Sequence, residues 1–115
     1  MIGRAYRFHG HNSLKFVYQH GQTVRGPLMS LRYSRNEKRQ NYRLAVVVSK
    51  KVAKSAVDRN RIRRRLYEVI RLQPGIDCYD LVLTIFNADV ARLPAKELDL
   101  KVADLLGRAH VIIKS

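Results

Sequence analysis

Residues 46–71 read VVVSKKVAKSAVDRNRIRRRLYEVIR. They run from the valine-rich end of a strand, through a lysine-rich connection, into an amphipathic helix. β-Branched residues favour strands, whereas apolar residues recurring every three and four positions mark one face of a helix. The helical part, residues 55–71, carries six arginines in seventeen positions. On a 100° wheel, Ile62, Leu66, Val69 and Ile70 share an arc of roughly a hundred degrees, the width of a core-facing stripe. Asn60, Arg64, Tyr67 and Arg71 line the opposite face. Arg61 and Arg65 widen that face on one side and Arg63 borders it on the other. Arg59 falls at the edge of the apolar arc, where a partly buried guanidinium would position the helix. Glu68 is within reach of Arg64 or Arg65, but one glutamate cannot neutralise the face. Ser55 and Asp58 have the spacing of a capping box that opens the helix. Pro74 and Gly75 close it.

Working outward, RLAVVVS (43–49) is the strand that feeds this helix, and LMSLRYS (28–34) is a second strand. The polar stretch 35–42 between them predicts a hairpin. HNSLKFVYQHG (11–21) reads as a short helix opened by Asn12 and stopped by Gly21, with Leu14, Val17 and Tyr18 on one face. Residues 22–25 fit a short edge strand. Downstream, YDLVLTIF (79–86) is a strand, and PAKELDLKVADLLGRA (94–109) is an amphipathic helix that aligns Leu98, Val102, Leu105 and Leu106. The order is helix, strands, helix, strand, helix. That order predicts one small α+β domain over residues 1–115, with helices packed on a sheet.

Charge narrows the function. The chain has 23 Lys+Arg against 9 Asp+Glu, a net charge of +14 over 115 residues. Residues 1–48 carry nine basic and one acidic residue, residues 49–71 nine and two, and residues 77–115 five and six. A positive field confined to the first two-thirds attracts polyanions. Arginine's planar fork matches phosphate oxygens bidentately, and Asn60 and Tyr67 add donors for sugar hydroxyls or base edges. A membrane-surface helix would need its large apolar residues free for lipid; here the core claims them. No apolar run approaches a membrane span, and MIGRAYRFHG lacks a signal peptide's apolar middle. The single cysteine, Cys78, rules out an internal disulfide. These features predict a protein of a reducing cytoplasm with no membrane partner.

Protein-based catalysis finds little support. His9, His11, His20 and His110 show no metal-ligand spacing, and no nucleophile, base and orienting group can be assembled. Asp77 and Asp80 are expected to cap turns, and Cys78 to pack as a small apolar residue. An autonomous nuclease needs carboxylates in its basic region, which offers Glu37, Asp58 and Glu68. On residues alone, the reading is an RNA-binding module without an active site of its own.

The run Ser49-Lys50-Lys51, followed by Ala56, Val57, Arg59, Asn60, Arg61, Ile62, Arg63 and Arg64, resembles the signature of the bacterial ribonuclease P protein family. Its strand-loop-helix carries an S-K-K segment and an R-N-R motif. The resemblance continues through Arg7 and LKFVYQHG, Arg43 in RLAVVVSKK, and YDLVLTIFNADVARLPAKEL, covering about residues 7 to 108. It implies an α-β-β-β-α-β-α sandwich, helices on a four-stranded sheet, with a left-handed βαβ crossover that the general right-handed rule would not suggest.

The same resemblance implies that an RNA subunit, using its own Mg2+, cleaves the 5′ leader from precursor tRNA. The protein would bind no cofactor and would act as a monomer in a 1:1 ribonucleoprotein. Catalytic-RNA contacts are then expected at Lys50, Lys51, Lys54, Arg59, Asn60, Arg61, Arg63, Arg64, Arg65 and Tyr67. A cleft between the first helix and the sheet would hold the leader through Leu14, Tyr18 and Arg32. The chain departs from the family pattern at Leu14, where phenylalanine is frequent, and at IFNAD, where a basic residue usually follows the last strand. Phe16 lies on a different helical face from Leu14 and Tyr18. A ribosomal-protein-like structural RNA-binding module is the alternative; it would not favour leader-bearing precursor over mature tRNA.

Overall fold

Strand β4 (Tyr79–Ile85) decides the sheet: Asp80, Leu81, Val82 and Leu83 are buried in succession, so both of its faces are covered. A strand sealed on both sides belongs inside a sheet, and that is where it lies. The computed structural model describes residues 11–36 and 41–112, with backbone alone for 11–13. Along the chain come α1 (His11–His20), β1 (Gln22–Arg25), β2 (Met29–Arg35), β3 (Arg43–Val48), α2 (Ala56–Arg71), β4 and α3 (Ala95–Ala109). A 3-10 turn at Ala88–Ala91 precedes α3. The sheet order is β1-β2-β4-β3.

The expected hairpin between residues 28–34 and 43–49 does not form. β4 pairs antiparallel with β2 (Tyr33 opposite Leu81) and parallel with β3 (Leu81 beside Leu44), and so separates them. Polar residues 35–42 suggested a turn, but the more apolar β4 takes the central place. β3, α2 and β4 thus make a βαβ unit, in which parallel neighbours require a crossover.

Alternation sorts the two faces. Met29 and Leu31 of β2, Leu44, Val46 and Val48 of β3, and Leu81, Leu83 and Ile85 of β4 meet Ile62, Leu66 and Ile70 of α2 and Leu98, Val102, Leu105 and Leu106 of α3 in one core. The α2 stripe and the α3 face are those read from the sequence, with Val69 partly buried at the margin. Removing Leu66, which is fully buried, should cost about 2–5 kcal/mol. α1 covers the reverse face, where Val17 and Val82 are both fully buried.

Local chemistry fixes the ends. Ser55 Oγ accepts from Val57 N at 3.1 Å, and Asp58 stands in the first turn of α2, where a negative charge suits the helix dipole. Ser55 thus caps the helix through its second residue, and the reciprocal Ser55–Asp58 bonds of a capping box do not form. Gly75, at φ 73°, turns the chain after α2. His11 and Asn12 are both helical, so Asn12 is inside α1 rather than its cap. Gly21 does stop it: its N–H donates to Val17 O at 2.8 Å, and a Cβ there would stand 2.5 Å from that oxygen and 2.8 Å from Tyr33 O. Glycine therefore lets the end of α1 settle on β2. Asp80 caps no turn; buried, it takes Arg43 Nε at 2.8 Å and Nη2 at 2.7 Å, with Asn36 Nδ2 3.1 Å from both oxygens. Asp77 does hold a turn, accepting from Cys78 N at 2.7 Å. Arg7, His9, Glu37 and the side chains of His11 and Asn12 lie outside the described residues.

Candidate nucleic-acid interface

The connection from β3 to α2 is a tight turn in which Ser49 O accepts from Val52 N at 3.1 Å and Ala53 N at 3.2 Å. Ala53 is buried, while Lys50, Lys51 and Lys54 are exposed. Arg59 is half-buried, and its Nη1 donates to Ala53 O at 3.0 Å and Lys54 O at 2.9 Å. It ties the lysine turn to the first turn of α2, which is the positioning role that the edge of the wheel suggested.

On the rest of α2 the arginines divide. Arg61 and Arg64 are exposed and make no hydrogen bond or ion pair among the described residues. Arg63 Nη1 donates to Asn60 Oδ1 at 2.8 Å, which leaves the amide nitrogen of the exposed Asn60 available as a donor. Arg65 turns away from the expected face: its Nη1 donates to Val90 O at 2.8 Å and its Nη2 to Leu93 O, bracing the segment that leads into α3. Tyr67 also departs from the wheel, lying half-buried against the core. Glu68 pairs with Arg71 at 2.9 Å rather than with Arg64 or Arg65. That hydrogen bond is the largest of the interactions that together hold the Glu68 carboxyl down at about 2. Val57, Asn60, Arg61, Arg64, Arg65 and Glu68 border a shallow open groove along the helix. Among the described residues of α2, the acidic side chains are Asp58, in the first turn, and Glu68, engaged by Arg71.

A second surface lies on the α1 side of the sheet. Leu14 and Tyr18, with Lys15 and Gln19, border a largely apolar hollow, and Tyr18 is exposed. Phe16 is exposed elsewhere on α1, its ring 4.6 Å from that of His20. Arg32 is on this face as the alternation required, but it is engaged. Its Nε donates to Val17 O at 3.0 Å, its Nη2 to Tyr18 O and its Nη1 to Thr23 Oγ1 at 2.7 Å. It caps the last carbonyls of α1, a favourable place for a cation, and so fixes the end of the helix that carries Tyr18.

Strand register completes this surface. Arg25, Ser30, Thr84 and Val47 form one row across it, and Thr23, Arg32, Val82 and Ala45 the next. Phe86, just past β4, is 43% exposed and has the Arg25 guanidinium carbon 5.6 Å from its ring centre. Sequence reading missed this pair. A large aromatic directly after an apolar strand was a visible signal for Phe86; nothing in the sequence singled out Arg25.

Residues 2–110 match the Ribonuclease P family model. A ribonuclease P protein component from Chloroflexus aurantiacus is 36% identical over 111 residues, covering 95% of this chain and 81% of the relative. One from Synechococcus elongatus is 32% identical, covering 96% and 95%. In fold, the chain is similar to the RNase P protein of Staphylococcus aureus (TM-score 0.82, 22% identity, 96% and 100% covered). It is also similar to that of Thermotoga maritima (TM-score 0.78, 20% identity, 95% and 98% covered). With residues 2–110 matching the family model and relatives aligned over most of their length, this helix-on-sheet domain with its cationic strand-turn-helix belongs to the ribonuclease P protein family: it is a tRNA-processing subunit whose partner is the ribonuclease P RNA.

Proposed function

We propose that the lysine turn and the outer face of α2 bind the ribonuclease P RNA, while the α1 side of the sheet receives the single-stranded 5′ leader of precursor tRNA. The observation that carries this reading is the run of exposed cations, Lys50, Lys51, Lys54, Arg61 and Arg64, without partners among the described residues. Such cations release counterions when they meet phosphate. Asn60 and Arg63 lie among them as a positioned donor pair. Arg59 and Arg65 serve the interface by holding the turn and the helix in place.

On the other surface, Tyr18 offers a ring for base stacking beside the smaller Leu14, and Arg32 fixes the end of α1 that carries Tyr18. The RNA subunit supplies catalysis with its own Mg2+, and the protein acts as one copy per RNA. Its part is to bring leader and catalytic RNA together, which raises substrate affinity.

Adding this chain to a bacterial ribonuclease P RNA at low Mg2+ should restore cleavage of precursor tRNA. The assembled particle should bind leader-bearing precursor more tightly than mature tRNA. Absence of stimulation would overturn the reading. RNA binding with no preference for a leader would instead identify a structural RNA-binding module.

A further inference from the structure

We infer that Arg25 and Phe86 together form a separate nucleotide-binding station on the leader surface, at the end of the sheet nearest the lysine turn. Phe86 stacks a base and Arg25 pairs with the adjoining phosphate. The inference rests on the leader reading above and adds to it a second, distinct contact point.

Topology puts the pair at that end. Phe86 N donates to Leu28 O at 2.8 Å, just before β2 begins, and β1 ends at Arg25. β3 runs parallel to β4 and ends at Val48 beside Ile85. The turn bearing Lys50, Lys51 and Lys54 therefore leaves the sheet at this same end. Arg25, Phe86 and the lysine turn form a line across the end of the sheet, leading from the leader surface to the catalytic-RNA face.

The pair is also built to persist. Arg25 reaches across β2 over the short Ser30 side chain, its partner in the register, to lie on the Phe86 ring. Its own backbone is pinned from α3: Arg108 Nη2 donates to Arg25 O at 2.8 Å, and Arg108 Nε is held by Asp104 at 3.0 Å. Phe86 is outside the core cluster and nearly half-exposed, so packing does not account for it. An aromatic ring with an arginine laid on it, beside a cationic path, accepts any base through its π-face and the adjoining phosphate through the guanidinium. Because stacking is sequence-tolerant, the station would read leader length rather than leader sequence.

The test uses holoenzyme reconstituted with a bacterial ribonuclease P RNA and precursor tRNAs whose leaders lengthen one nucleotide at a time. Affinity should rise in steps as each station is filled. Phe86→Ala should remove one step, weakening long-leader substrates roughly tenfold, while Phe86→Trp keeps it. Arg25→Lys, which retains charge without the planar fork, should keep part of that step. Tyr18→Ala should remove a step at a different leader length. If Phe86→Ala removes no step, or the same step as Tyr18→Ala, the second station does not exist. If the unaltered holoenzyme shows no dependence on leader length, the leader reading itself fails. Circular dichroism of each variant confirms that the fold is retained.

Discussion

Two populations of arginine share this small domain, and the difference between them separates architecture from interface. Arg32, Arg43, Arg59 and Arg65 have guanidiniums engaged inside the fold, by backbone carbonyls at α1, at the lysine turn and before α3, and by the buried Asp80. Arg61 and Arg64 have no such partner among the described residues. An arginine that is already satisfied has few donors left for phosphate and mainly fixes geometry. Net charge counts both populations alike, and for that reason it overstates the binding surface.

Breaking the engaged population should show first in stability. Arg43→Met leaves Asp80 buried with Asn36 as its remaining partner here, and should destabilise the protein by about 3–5 kcal/mol in urea unfolding. Adding Asp80→Leu should restore much of that loss, because a buried pair is costly chiefly when only one partner remains. A single-variant loss below about 1 kcal/mol would place Arg43 with the free group.

Within α2 itself the contrast can be drawn between neighbours. Arg65→Ala should cost about 1–2 kcal/mol of stability through its lost carbonyl contacts, and leave the salt dependence of RNA binding nearly unchanged. Arg61→Ala and Arg64→Ala should do the opposite. Stability should stay within about 0.5 kcal/mol, and each should lower the slope of log affinity against log salt by roughly 0.7–0.9. Equal slopes for all three variants would erase the distinction.

The smallest effect concerns Arg71, which Glu68 holds back. The Glu68 carboxyl is lowered from its ordinary 4.5 to about 2, first by the Arg71 hydrogen bond. A carboxylate depressed by folding stabilises above its unfolded value, and the contribution disappears as pH falls from about 4.5 toward 2. Glu68→Gln should therefore flatten the acid limb of the stability curve. It also releases Arg71 into the free group, raising the salt slope by at most one contact. A Glu68 carboxyl that titrates at its ordinary value by NMR would show that the pair does not persist in solution.

Periodic features were legible in the sequence. The stripe Ile62, Leu66, Ile70, the α3 face, the edge strand at 22–25 and the exposed lysine turn each depend on residue spacing or local turn chemistry. What was not legible depends on partners distant in sequence. Arg65 left the wheel's outer face because the carbonyls of Val90 and Leu93 come within its reach only in the folded chain. Arg32 found the end of α1, Asp80 found Arg43, and β4 displaced the expected hairpin for the same reason. A long, flexible side chain chooses its direction by what lies within several ångströms, and a helical wheel carries no such information.

The place of β4 also sets an order of events. Until residues 79–85 arrive, β3 has no neighbour in the sheet, and β1 and β2 stand as a two-strand ribbon, which is marginal in water. Pairing β3 with β4 closes a loop containing all of α2, a non-local step of the kind that slows folding. The sheet is therefore complete, and both ends of the basic helix are tied to it, only once β4 stands between β2 and β3.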